Sequence, residues 1–298
     1  MGWRIDNEAV KCNKFTMSSK TECPLCRRQC RLHHRVEKYT LMRCAGCRHV
    51  FLSPLPTAEE LKRGYSGEDT GFVENKGDTF NHLENSDTLG TVGSRELLSA
   101  LQWVPASGKR RLLDIGAGSG KLMRQARELG WDAVGIEPGP WGEEAARKFG
   151  LKIHVAMTEE LSRSEDLSPS SFDLITLMDV LEHLGNPFEV FKNAAGMLRP
   201  GGRIVCQFPC STSVAYYTRG GKWPLVLPPG HIHYFSQASF QAMAEQAGVI
   251  LVKEVTTLHT PVLPKARFFP VSVAEALVRP IVEKIGLGDL RLCICTKP

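Results

Sequence analysis

The chain has 298 residues, 42% hydrophobic and 23% charged, with 37 Lys or Arg against 32 Asp or Glu. This is ordinary globular composition with room for one large α/β domain and a small appendage, and it excludes fibrous and disordered classes. No run approaches the ~18 apolar residues of a membrane span and Met1 to Phe15 holds no apolar signal core, so a cytoplasmic protein with no membrane span is expected.

The charge is uneven. Residues 1–50 carry eleven Lys or Arg and four Asp or Glu, and the rest of the chain is slightly acidic. The same stretch holds Cys23-Pro24-Leu25-Cys26 and Cys44-Ala45-Gly46-Cys47, two C-x2-C knuckles separated by seventeen residues. Each knuckle aims two thiolates at one point, and two knuckles complete a tetrahedral zinc site with no open position, hence a structural one. Arg31 to Met42 alternates as the strands of a zinc ribbon do. Cys30, His33 and His34 are competing ligands, and Cys12 reads as a free thiol. The basic surface admits a nucleic-acid partner. The paired aromatic–basic motif that reads single strands is missing, so that partner is not favoured.

Phe51 to Pro56 closes this module, taken as residues 1–56. Thr57 to Tyr65 predicts a short helix with Thr57 as N-cap and Glu60 in the capping box. The rest of the 57–93 segment is rich in Gly, Asp and Asn and reads as a linker or lid.

From residue 94 onward the pattern alternates. Ser94 to Trp103 predicts a helix. Strands are expected at 111–115, 133–136, 152–156, 173–178, 203–208, 250–256 and 291–296, with helices between them. Asn186 and Pro187 mark one helix start, Ser236 another, and Gly150 a helix end. Such alternation predicts an α/β, doubly wound, mostly parallel seven-stranded sheet of Rossmann-like type behind the small zinc ribbon, taken as residues 94–298. Ligands in such sheets bind at the carboxyl ends of the central strands.

Two features sit there. Asp114-Ile115-Gly116-Ala117-Gly118-Ser119-Gly120 turns the first strand into a helix, and its glycines let a ligand approach main-chain N–H groups. The second strand ends at Glu137, about twenty residues on, where an acid binds ribose hydroxyls in such folds. A dinucleotide fingerprint needs a third glycine where Lys121 stands, which weakens the nicotinamide reading. The order D-x-G-x-G-x-G resembles the loop of class I S-adenosylmethionine-dependent methyltransferases. Phe172-Asp173-Leu174-Ile175-Thr176-Leu177-Met178-Asp179-Val180-Leu181-Glu182-His183-Leu184 and Leu198-Arg199-Pro200-Gly201-Gly202 resemble their fourth strand and the turn before the fifth. The resemblance covers roughly residues 95–298. It implies S-adenosylmethionine as cofactor, with Asp114, Gly116, Ala117, Gly118, Gly120, Glu137, Pro138 and Asp179 around it.

For the chemistry, three histidines are candidates for a general base: His183, His231 and His233, the last two in an H-x-H-Y-F-S segment similar to one in a large branch of these enzymes. The D-x-x-E-H pattern also resembles the divalent-metal site of small-RNA 2′-O-methyltransferases, and the ubiquinone-pathway O-methyltransferases carry an E-H pair here. That resemblance implies Mg²⁺ at Asp179, Glu182, His183 and His233. Segments 210–230 and 260–288 lie outside the core pattern, and the first is expected to touch substrate. A CxxC ribbon ahead of this domain is similar to methyltransferases of sugars and natural products. The acceptor implied is a small molecule (a sugar, nucleotide-sugar or secondary metabolite), methylated on O rather than N or C. An RNA-modifying enzyme and a non-catalytic cofactor-binding module are the alternatives.

Overall fold

The computed structural model describes residues 21–65, 94–105, 108–158, 167–260 and 271–298. The expected lid over 66–93 and Cys12 lie outside the described residues.

Seven strands form the larger sheet in the order β10-β11-β8-β7-β4-β5-β6. They are β4 (Arg111–Ile115), β5 (Asp132–Ile136), β6 (Lys152–His154), β7 (Phe172–Met178), β8 (Leu198–Pro209), β10 (Ile250–Thr257) and β11 (Leu290–Thr296). All neighbours from β8 to β6 pair parallel, and β11 runs antiparallel to both β8 and β10. The chain moves outward from β4 through β5 to β6, then returns to lay β7 on the other side of β4. That reversal opens a crevice at the carboxyl ends of β4 and β7. β7 is buried from Phe172 to Leu177, as a central strand covered on both faces must be.

The helices follow their local chemistry. The helix Pro187–Met197 starts where the Asn186 side chain accepts from Glu189 N, with proline at its first position. The helix Gln237–Gln246 has a reciprocal Ser236–Ser239 capping box. The helix Pro140–Phe149 ends at Gly150 with φ 60. It begins at Pro140, which supplies the first-turn geometry. β8 likewise begins at Leu198 rather than 203, with an irregularity between Phe172 and Leu174 of β7 that absorbs the Pro-Gly-Gly turn. Arg199 Nη1 anchors this start, 2.6 Å from the buried Asp173 carboxylate. The helix Val271–Lys284 runs through Pro280.

The ribbon strands β1 (Cys30–Val36), β2 (Tyr39–Cys44) and β3 (Val50–Ser53) are antiparallel, and a fourth strand from far along the chain, β9 (His233–Tyr234), completes their sheet. Phe51 pairs with His233 and Val50 with Tyr234. Leu52 N donates to Ile232 O (2.9 Å), and Ser236 Oγ donates to Cys47 O (2.7 Å). One apolar cluster joins Cys23, Cys44 and Phe51 to Phe208 and Phe235, and another joins Leu41, Leu52 and Leu61 to Trp223 and Tyr234. The 210–230 segment, with its short helix Val214–Arg219, packs on the ribbon through Tyr216 and Trp223. No helix among the described residues is long and apolar enough to cross a membrane.

Candidate active site

The loop after β4 is built from three left-handed glycines, Gly116 (φ 75), Gly118 (φ 52) and Gly120 (φ 72). A Cβ on Gly116 would lie 2.4 Å from Val180 Cγ2, and one on Gly120 would lie 2.2 Å from Leu151 Cδ1. Space and backbone both require glycine there. Gly116 N and Ala117 N donate to Ile136 O at 2.8 and 3.0 Å, pinning the loop to the end of β5. The helix Lys121–Glu128 begins immediately after Gly120, so its unpaired first N–H groups face the crevice.

Glu137 closes the other side. Its buried carboxylate accepts Gly118 N through Oε2 and Gly139 N through Oε1, each at 2.9 Å. Burial raises its pKa against those two donors. The Trp141 side chain also bonds it, and a carboxylate with its several acceptor sites suits the hydroxyls of a ribose. The half-buried Pro138 carries the chain from this acid to Gly139. Asp114 sits differently: it is buried inside the sheet and accepts Thr176 Oγ1 at 2.7 Å across the β4–β7 pair. Burial pushes its pKa up to about 7. It braces the loop from beneath.

At the end of β7, Asp179 has φ 54, an unusual conformation for a non-glycine residue and one that costs of order 1–3 kcal/mol. Gln207 Nε2 holds it, donating to both carboxylate oxygens at 3.1 and 3.0 Å. Three residues on, Glu182 is buried with Oε2 unpartnered, and burial and the Asp179 charge raise its pKa well above the usual range. Beside it, His183 Nδ1 lies 2.9 Å from Gly230 O, and His231 Nδ1 lies 2.8 Å from Leu225 O. A carbonyl only accepts, so each Nδ1 carries the proton and each Nε2 offers a lone pair. Burial lowers the two imidazoles to about 4 and about 3, which keeps them neutral. One ligand atom from each of Glu182, His183 and His231 lies within 4.8 Å of the others.

The expected quartet therefore changes membership. Among the described residues His231 joins Glu182 and His183, whereas His233 does not. Ile232 N donates to Glu182 O (2.8 Å), which sets His231 beside the pair. One step further His233 enters the β3–β9 ladder and bonds His49 Nε2 at 3.0 Å, fully buried. Asp179 stands behind Glu182 on Gln207. Sequence reading missed Gln207, His49 and Tyr65, whose hydroxyl donates to His183 O at 3.2 Å. None of the three stands in a motif. The capped helix Ala58–Tyr65 marked only Tyr65's neighbourhood, with Thr57 N to Glu60 Oε2 at 2.7 Å as predicted.

The four ribbon cysteines converge, with Sγ–Sγ distances of 3.7 Å (Cys23–Cys47), 3.4 Å (Cys26–Cys44) and 3.5 Å (Cys26–Cys47). A zinc tetrahedron with ~2.3 Å bonds has edges of about 3.8 Å, so the donor set fits that ion. Cys30 donates to Arg28 O (3.6 Å) and stands outside the four-cysteine set, and His33 and His34 lie against Tyr216.

A doubly wound sheet, a glycine loop and a buried ribose-type acid define a nucleoside-cofactor enzyme. Residues 89–254 match the family model described as methyltransferase domain. The ubiquinone biosynthesis O-methyltransferase of Xanthomonas euvesicatoria pv. vesicatoria is 30% identical over 166 residues, which cover 53% of this chain and 70% of that protein. The enzyme of the same name from Aeromonas salmonicida is 28% identical over 159 residues, covering 50% and 66%. Among solved structures, a SAM-dependent methyltransferase from Archaeoglobus fulgidus aligns with TM-score 0.50 at 18% identity, covering 68% of this chain and 90% of that one. The [4+2]-cyclase SpnF aligns with TM-score 0.52 at 17% identity, covering 82% and 98%. The two structures share the fold. The chain belongs to the methyltransferase-domain family and is an S-adenosylmethionine-dependent methyltransferase.

Proposed function

We propose that this cytoplasmic enzyme methylates an oxygen of a small-molecule acceptor, and that Glu182, His183 and His231 hold a divalent cation beside that oxygen. The observation that carries the reading is the approach of one ligand atom from each of Glu182, His183 and His231 to within 4.8 Å at the end of β7, with Glu182 Oε2 buried and unpartnered. The relatives named as O-methyltransferases of ubiquinone biosynthesis support the choice of oxygen. Two nitrogens and one hard oxygen suit Mg²⁺ less well than Mn²⁺ or Fe²⁺, so the metal's identity is part of the proposal. A bound cation would lower the pKa of an acceptor hydroxyl.

The chain's own residues supply the rest. Glu137 and the loop 116–120 hold the nucleoside and set its approach. Gly230 O and Leu225 O fix both imidazoles in one tautomer, so neither needs to reorient during turnover. Gln207 holds Asp179 behind Glu182, and burial together with the Asp179 charge favours a proton on Glu182 until a cation is bound. Alignment and exclusion of water then account for most of the acceleration.

The test uses the zinc-loaded enzyme and methyl-donor labelling of a cell extract to find the acceptor. Chelator treatment that leaves one zinc per chain should reduce turnover at least tenfold, and Mn²⁺ or Mg²⁺ should restore it. His231→Asn should remove the response to added metal while leaving cofactor binding intact. Full turnover after chelation would refute the metal part, and labelling confined to nitrogen or carbon would refute the acceptor part.

A further inference from the structure

One face of the ribbon carries an arrangement that methyl transfer does not use. The β1–β2 register sets Arg31 directly opposite Arg43, two like charges on one face. Such a pair is destabilising unless something neutralises it. Neither guanidinium has an ion-pair or hydrogen-bond partner among the described residues. The irregularity between Leu32 and His34 inserts His33 beside them. Opposite lies the helix Val214–Arg219, whose Tyr216 ring is 5.8 Å from His33 and 6.1 Å from His34, centroid to centroid. Gly220 rests on His34, and a Cβ there would meet the ring at 2.8 Å.

Two polar atoms at this contact are buried and unpartnered among the described residues: Tyr216 Oη, on a side chain only 3% exposed, and His33 Nε2. The Arg43 charge acts on His33, His34 and Tyr216, and no carboxylate acts on any of them. Burial lowers His33 to about 4, so near neutral pH it is an uncharged donor or acceptor. Two cations and two unsatisfied hydrogen-bonding groups, with no carboxylate of the described residues acting on His33, His34 or Tyr216, have the chemistry of a site for a compact oxyanion.

We propose that Arg31, Arg43, His33 and Tyr216 form a binding site for a phosphate group, between the ribbon and the segment that follows β8. The site is separate from the Glu182 cluster. Tyr216, Trp223, Tyr234 and His231 form a chain of rings with centroid spacings of 5.4, 6.3 and 6.5 Å, and the whole packed row stands between the two places. A phosphate held there belongs to a second ligand or to the far end of a long acceptor.

The experiment titrates full-length, zinc-loaded protein with inorganic phosphate at constant ionic strength, with chloride as reference, and reads melting temperature and calorimetric binding. Saturable binding is expected. Arg43→Gln and the more exposed Arg31→Gln should each weaken it at least tenfold, and Tyr216→Phe several-fold. Because the lone hydroxyl is buried at a cost, Tyr216→Phe should also raise the melting temperature without phosphate. Zinc content and the cofactor-induced melting shift should be unchanged in all three variants. Repeating the titration with 5′-nucleoside diphosphate and with a phosphorylated sugar separates the two sources: tighter binding of either than of free phosphate identifies the larger ligand. No saturation beyond chloride, binding as tight as wild type by both Arg43→Gln and Arg31→Gln, or binding of single-stranded RNA without any binding of phosphate would each overturn the proposal.

Discussion

Replacing Glu137 with alanine separates cofactor recognition from folding. In the folded chain this buried carboxylate accepts Gly118 N and Gly139 N at 2.9 Å each at the end of β5. Two ribose hydroxyls donating to an ionised acceptor contribute ~1.5–3 kcal/mol each. Losing even the lower sum of about 3 kcal/mol weakens binding by about 100-fold. At a cofactor concentration 100 times the wild-type Kd, the wild-type fold gains ~2.7 kcal/mol, whereas a 100-fold weaker variant gains only ~0.4 kcal/mol. For a chain of this size 1 kcal/mol moves Tm by about 2 °C, so the expected shifts are about 5 °C and under 1 °C. Alanine also strands two buried N–H groups, which lowers the starting Tm of the variant. The relevant reading is therefore the ligand-induced shift, measured by calorimetry with S-adenosylmethionine or its demethylated product. A variant whose shift tracks wild type across the titration would refute the role of Glu137 and leave the loop to bind alone.

Three further outcomes follow from single residues. Gly116→Ala should fold but lose more than tenfold in cofactor affinity by calorimetry, since φ 75 and a Cβ 2.4 Å from Val180 Cγ2 displace the loop. Asp114 is raised to about 7 in the fold from 3.8, so between about pH 4 and pH 7 the unfolded chain has lost this proton while the folded chain keeps it. Stability from this residue is then present at low pH and falls as pH rises to 7, by about 4 kcal/mol at most. Asp114→Asn, which keeps a partner for Thr176, should flatten that slope relative to wild type in denaturant titrations of the cofactor-free protein, and parallel curves would refute it. Cys44→Ser should abolish stoichiometric zinc and speed hydrogen exchange at the β3–β9 amides before it does so in β4 and β7. Zinc retained by that variant would remove Cys44 from the site.

What was legible in the sequence was what neighbouring residues decide between themselves. Asn186-Pro187, Ser236 and Thr57 with Glu60 fix helix starts through bonds that span three residues, Gly150 ends its helix by its left-handed backbone, and all of them occur. The glycine loop and Glu137 are adjacent to strands whose apolar runs place them. The choice between His231 and His233 was not legible, because it depends on a bond from Ile232 to Glu182, fifty residues away in the chain. His49 gave no sign for the same reason: its partner is His233, and a two-residue strand such as β9 has no periodicity to read. The loop sequence places Asp114 among the cofactor residues, and its buried side chain accepts Thr176 Oγ1 across the β4–β7 pair, a bond from a residue sixty-two positions away that local sequence does not announce.

The ribbon is hydrogen-bonded into the catalytic half rather than tethered to it, and this changes what its zinc would stabilise. A small three-stranded ribbon cannot bury enough apolar surface to fold alone, so a metal supplies much of its free energy. Here the same strands carry β9 on their edge, and β9 begins two residues after His231. Phe51 pairs with His233, Cys47 O receives Ser236 Oγ, and Tyr65 bonds the main chain of His183. Each of these bonds reaches a residue within five positions of the Glu182–His183–His231 cluster. Loosening the four-cysteine site should therefore reach the two imidazoles through two routes, β9 and the helix Ala58–Tyr65, while the cofactor loop, pinned to β5, stays in place. A ribbon mutant of this enzyme is expected to bind its nucleoside normally and fail at transfer.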